Sequence, residues 1–191
     1  MKYELVKTDT KQFFGKTLYR IRALVAIGSL VAPGDLGGYV ESEKNLAQVS
    51  GNAWVYGDAQ VYGNAQVYGD ARVYGDAWVS GDAWVYGDAQ VSGDAQVYGN
   101  ARVSGNAQVY GVARVSKRTH WLLIGPAKSS GRFTTAFVDE KIGVRVACGC
   151  FTGTVAEFSK QIEETHKNNK EHLEQYRLIC QFIGYNFGVE K

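Results

Sequence analysis

Three histidines, His120, His166 and His172, and three cysteines, Cys148, Cys150 and Cys180, are the side chains with the strongest intrinsic chemistry in this 191-residue chain. A histidine in a cleft is a general base near neutral pH. His120 is the one that stands beside the repetitive middle of the chain. Cys148-Gly149-Cys150 together with His166 supplies ligand types for a metal, or a thiol nucleophile. C-x-C is not a usual zinc spacing, however, and no fourth ligand accompanies it. Cys148 continues a valine-rich face, which makes it a core thiol by default. Asp58, Asp76 and Asp94 recur at every third repeat and invite a calcium reading. Mixed series such as Asn52, Asp70, Asp88 and Asn106 favour Asp and Asn side chains bonding their own turn backbone instead. No metal or cofactor is expected.

The element that must position such residues runs over 46–116. It repeats six residues: valine, Tyr or Ser, Gly, Asp or Asn, Ala, and a variable residue. Val49, Val55, Val61 and their successors to Val115 share one phase, and alanine precedes each by two positions. Six residues fit neither an α-turn nor a heptad. They fit a short strand followed by a tight glycine corner. Three sides close a triangular coil, with parallel strands stacked about 4.8 Å apart. About four coils make a rod of roughly 19 Å. Valines point inward and alanines sit at the crowded corners.

Function then falls to the outward positions. One side stacks Gln48, Gln66, Trp84 and Arg102, beside Tyr68 and Tyr86. The second stacks Trp54, Arg72, Gln90 and Gln108, beside Tyr56, Tyr74 and Tyr110. The third stacks Gln60, Trp78, Gln96 and Arg114, beside Tyr62 and Tyr98. Stacked aromatics stabilise parallel sheets, but aromatics with Arg and few Lys or Glu are also the composition of an interface core. Trp54, Tyr56, Tyr68, Arg72, Tyr74, Trp78 and Trp84 are the binding candidates, with Arg72 able to pair with phosphate or carboxylate.

The flanks differ. In residues 1–45 an alternating stretch, 17–27, puts Tyr19, Ile21, Ala23 and Val25 on one face and Arg20 and Arg22 on the other. Residues 3–6 pair with it, and the whole caps an otherwise open end. Residues 117–191 predict a small α+β domain. It holds a hairpin from 133–138 and 142–148 across Asp139-Glu140-Lys141, with Ile142, Val144, Val146, Cys148 and Cys150 on one face. Two amphipathic helices follow, the first opened by a Thr154/Glu157 capping box.

Formal charge is +2, with 21 Lys and Arg against 19 Asp and Glu. The repeats carry six Asp against Arg72, Arg102 and Arg114, too small an imbalance to argue for nucleic acid. Three cysteines, an odd number, suit a reducing cytosol. No leader and no membrane span are visible, so the expectation is a cytoplasmic protein.

The run V-Y-G-D-A-Q-V-Y-G-N-A-Q-V resembles the hexapeptide repeat of left-handed parallel β-helix proteins. That family includes acyltransferases and γ-class carbonic anhydrases, many of them trimers. Gly37-Gly38-Tyr39-Val40-Glu41, Asn45-Leu46 and Gly51-Asn52-Ala53-Trp54-Val55-Tyr56 are similar to the entry segment of bacterial and phage members labelled as acetyltransferases. The resemblance implies the left hand, trimers, and a phage or prophage accessory role that extends to counter-defence. Hexapeptide acyltransferases use a histidine base between subunits, and the anhydrases use three histidines on zinc. No histidine lies in these repeats. The leading expectation is therefore a non-catalytic oligomer that binds a host protein or a small nucleotide-like anion. An acyltransferase using His120 and a spacer presenting residues 117–191 are the alternatives.

Overall fold

Each six-residue unit folds as two residues of strand and a corner. The computed structural model describes residues 1–127 and 130–189, so Lys128, Ser129, Glu190 and Lys191 lie outside the described residues. The chain divides into two compact units, Met1–His120 and Trp121–Lys191.

The first unit opens with a hairpin, β1 (Tyr3–Phe13) and β2 (Lys16–Ala23), followed by β3 (Leu36–Val40). Eleven two-residue strands follow at the period of the repeat: β4 (Trp54–Val55), β5 (Gln60–Val61), β6 (Gln66–Val67), β7 (Arg72–Val73), β8 (Trp78–Val79), β9 (Trp84–Val85), β10 (Gln90–Val91), β11 (Gln96–Val97), β12 (Arg102–Val103), β13 (Gln108–Val109) and β14 (Arg114–Val115). They stack in parallel as three walls: β3-β5-β8-β11-β14, β4-β7-β10-β13 and β6-β9-β12. Register is set residue on residue, Gln60 on Trp78 and Val61 on Val79. Each step is held by bonds such as Gln60 N to Ala77 O at 2.9 Å and Tyr62 N to Val79 O at 3.0 Å. The ladder valines from Val55 to Val115 and the alanines from Ala53 to Ala113 are buried. Each buried valine contributes about 1.5–3 kcal/mol relative to exposure. Glycine is required at the corners for two reasons, seen at Gly69. Its φ is +71°, and a Cβ there would meet the backbone N of Gly87 in the next coil at 2.9 Å.

The first coil departs from the expected phase. Val40 pairs with Val61 and Leu46 with Val67, three residues more than the repeat allows. Leu46 therefore occupies the core position, and Val49, expected inside, is 93 % exposed. Gln48 leaves its column as well. Its Oε1 accepts from Lys2 N at 3.0 Å, and its Nε2 donates to Tyr3 O at 3.2 Å.

The hairpin continues the first wall, with β1 on β2 and β2 on β3, all antiparallel. Its alternation holds as far as β2 runs, with Ile21 and Ala23 inside and Arg22 exposed. Leu18, Ile21 and Ala23 are buried, while Tyr19 is half-buried and Val25 exposed. Leu18, on the opposite face, is buried against Tyr39 and Tyr62, and Val25 lies past the end of the strand at Ala23.

The second unit is an antiparallel sheet, β15 (Trp121–Ile124), β16 (Thr134–Asp139), β17 (Gly143–Cys148) and β18 (Phe151–Thr154), ordered as in the chain. Helices α1 (Val155–His166) and α2 (Lys170–Phe187) pack on it. Ala136, Val144, Val146 and Cys148 meet Phe158, Ile162, Tyr176, Ile179 and Ile183. Thr154 caps α1: its side chain accepts from Glu157 N, and Glu157 Oε2 accepts from Thr154 N at 2.8 Å. Cys150 does not share the face of Cys148. It sits exposed in the β17–β18 turn, where alternation ends.

Candidate functional site

The seven binding candidates are distributed over three walls and do not form one cluster. Trp54, Tyr56, Arg72 and Tyr74 stand on the second wall, Tyr68 and Trp84 on the third, and Trp78 on the first.

Trp54 belongs to the fold. It is 1 % exposed and lies edge-on to Tyr3, with ring centroids 6.2 Å apart. The Tyr3 hydroxyl lies 2.9 Å from the carbonyls of both Glu43 and Leu46. Burial pushes that phenol well above its ordinary range.

Trp78 is covered by the chain itself. The tip of the β1–β2 hairpin brings Phe13 edge-on at 5.5 Å and stacks Phe14 on the indole at 5.6 Å and 19°. Tyr62 stacks on the same indole at 6.3 Å. Phe14 has φ 46°, a left-handed conformation uncommon outside glycine, and its outer side remains exposed. Sequence reasoning missed both phenylalanines. The available signal was Phe13-Phe14-Gly15 between two alternating runs, the pattern of a hairpin tip.

The third wall carries an open ladder. Tyr68 and Tyr86 stack at 4.9 Å and 3°, Trp84 meets Tyr68 edge-on at 6.2 Å, and the Arg102 guanidinium lies 4.2 Å over Trp84. All four are half-exposed. Burial, then the neighbouring Tyr86, raises the Tyr68 phenol above its usual range against an opposing pull from Arg102. Tyr86 and Arg102 enter the surface because the wall stacks Gln66, Trp84 and Arg102 in register. On the second wall Tyr74 Oη donates to Gln90 Oε1 at 3.1 Å, and burial raises the Tyr56 phenol while Arg72 opposes it.

His120 is tied to the last coil. Its Nδ1 lies 3.4 Å from Ser116 N and 3.3 Å from Ser116 Oγ. A backbone N–H directed at that lone pair competes with any hydroxyl proton it would accept. In the second unit, Tyr176 stands between the proposed thiol and imidazole. Cys148 Sγ is 4.0 Å from its hydroxyl, while the His166 ring stacks on its face at 5.2 Å. Burial, then the neighbouring His172 and Arg132, lowers the pKa of His166. Among the described residues no three His, Cys, Asp or Glu side chains are grouped to hold a metal ion. At the corners, hydrogen bonds run from coil to coil: Asn52 Nδ2 donates to Asp70 Oδ1 at 2.7 Å, and Asn64 Nδ2 to Asp82 Oδ1 at 3.0 Å.

The family model described as YdcK Beta solenoid repeat matches residues 47–63, 65–81 and 95–111. The chain is a β-solenoid repeat protein. Nothing among curated proteins matches it. The second matched stretch of the solenoid contains Tyr68, Arg72, Tyr74 and Trp78, so those candidates sit on regular repeats. No helix of the described residues is long and apolar enough to cross a membrane.

Proposed function

We propose that the solenoid is a non-catalytic interaction module that associates with further copies through its outer walls, with a trimer favoured. One observation carries this. On the first wall the aromatic ladder receives an aromatic partner from the chain's own hairpin, Phe14 on Trp78. The third wall presents the same kind of ladder, Tyr68, Tyr86 and Trp84 with Arg102, half-exposed. Rings already held in a stack lose little further freedom on binding, which is why such residues concentrate binding energy.

Arg102 over Trp84 also suits a small nucleotide-like anion or a host protein, with a ring against the indole and the anion on the guanidinium. The resemblance of the entry segment to phage and prophage proteins supports reading the module as a cytoplasmic accessory of that setting, with a counter-defence role as part of the same proposal.

The test is native mass spectrometry of the full chain, wild type against Trp84→Glu with Tyr86→Lys. A trimer, or a larger assembly built of trimers, that falls to smaller species in the variant supports the reading. A wild-type chain that stays monomeric at tens of micromolar, or an assembly indifferent to both substitutions, removes it.

A further inference from the structure

A stacked repeat needs an end with a polar outer face, or it associates through that end. The N-terminal end of this solenoid is filled from within by Tyr3, Ile21 and Leu46, all buried, yet its outside is aliphatic. The connection from β2 to β3 sorts its own side chains. Ile27 and Val31 are buried and bridge each other, N to O at 3.0 Å, while Leu24, Val25 and Leu30 are about half exposed. Leu36, at the start of β3, is also exposed. Beside them stands Val49, ejected by the three-residue slip of the first coil. Lys2 joins the two segments: its carbonyl accepts from Leu24 N at 2.8 Å, and its Nζ donates to Gly51 O at 2.9 Å.

These five aliphatic side chains expose roughly 500 Å² per copy, more than single scattered residues account for. Two copies face to face would bury about 1,000 Å², the lower bound for a specific protein interface. The rim selects the partner. Next to these side chains, Lys2 and Arg22 are balanced by Glu4 and Asp35, and Arg22 is ion-paired with Glu4. A neutral rim of mixed sign has no preference for an anionic membrane or nucleic acid, and it meets its own copy without net repulsion.

We infer that this end mates with the same end of a second copy, in an isologous two-fold contact formed by Leu24, Val25, Leu30, Leu36 and Val49. The contact is independent of side-by-side association through the walls. Where both occur, they generate an even number of copies, such as two trimers joined end to end.

Val49→Lys tests this at no cost to folding, because the side chain is already in solvent, and Leu30→Lys with Val49→Lys is the stronger form. Native mass spectrometry and sedimentation equilibrium on the full chain read the result. An even-numbered wild-type assembly that halves in Val49→Lys, or dissociates with a constant raised about tenfold or more, supports the contact. An odd-numbered or monomeric wild type overturns it, as does an unchanged mass in the double variant. So does co-flotation of the wild type, but not of Val49→Lys, with phosphatidylcholine vesicles, which would make a lipid surface the occupant. Trp84→Glu separates the two readings: the end-to-end pair survives it, and the wall contact does not.

Discussion

Replacing Asn45 by Asp preserves shape and reverses the chemistry of one amide. Asn45 is fully buried at the start of the solenoid. Its Nδ2 donates to Gly63 O at 3.1 Å and Ala65 O at 2.9 Å, stapling the first coil to the next. Its Oδ1 accepts from Ser42 N at 2.9 Å, so the amide orientation follows from its partners. A carboxylate there would point an anionic oxygen at two carbonyls. Burial and those carbonyls both raise the pKa of the new acid in the folded state above its unfolded value of about 3.9. The penalty is therefore small below that value and grows by about 1.4 kcal/mol per pH unit until the folded pKa is reached. At low pH the neutral acid still donates to one carbonyl, leaving a cost of about 1–2 kcal/mol. At pH 7 both carbonyls lose their donor and a charge is buried, for about 4 kcal/mol. Urea unfolding of wild type and Asn45→Asp from pH 3.5 to 7, taken as the difference between the two, isolates the effect. A penalty that does not change with pH, or stays under about 1 kcal/mol at pH 7, would refute the reasoning.

Three further outcomes are expected. Thr154→Ala removes one half of the α1 capping box and lowers stability by about 1 kcal/mol in thermal or urea melts. Asp139 is buried, which works against its charge, but bonds from Arg145 at 2.7 Å and from Lys141 and Ile142 N–H hold its carboxyl below the usual range. Its contribution is thus present above pH 4 and lost as pH falls through the lowered value. Asp139→Asn costs about 3 kcal/mol at pH 7 and flattens the acid limb of the stability curve. Thiol labelling of the native chain at pH 8 modifies Cys150 promptly. Cys180, buried with its thiol pushed up to about 11, reacts only on unfolding.

The walls are legible because the repeat states them directly. A period of six with Val and Ala in fixed phase has one packing solution, and the columns over 54–114 follow from it. The first coil is not legible in the same way. Ala47, Gln48 and Val49 satisfy the repeat as written, but Asn45 and Leu46 compete for the same wall, and their bonds to the second coil win. Trp54 and Trp78 read as surface residues from phase alone. Tyr3 and Phe14, distant in sequence, decide their burial, and no local pattern carries a contact of that separation. The helices of the second unit are visible through the Thr154 cap and the spacing of Phe158, Ile162, Tyr176 and Ile183. The end of the Cys148 strand is not, because a tight turn breaks alternation without changing composition.

The hairpin and the first wall share one sheet, and this imposes an order on synthesis. β1 and β2 emerge before any hexapeptide and already offer a paired edge on which β3 forms, and β5 then lays down on β3. Each later strand finds its pairing partner one coil earlier, so winding proceeds in the direction of translation with no contact deferred to the end of the solenoid. A ribosome-stalled chain ending after any complete coil should be as protease-resistant as its length permits. A chain lacking the hairpin should lose the paired edge on which the first wall starts.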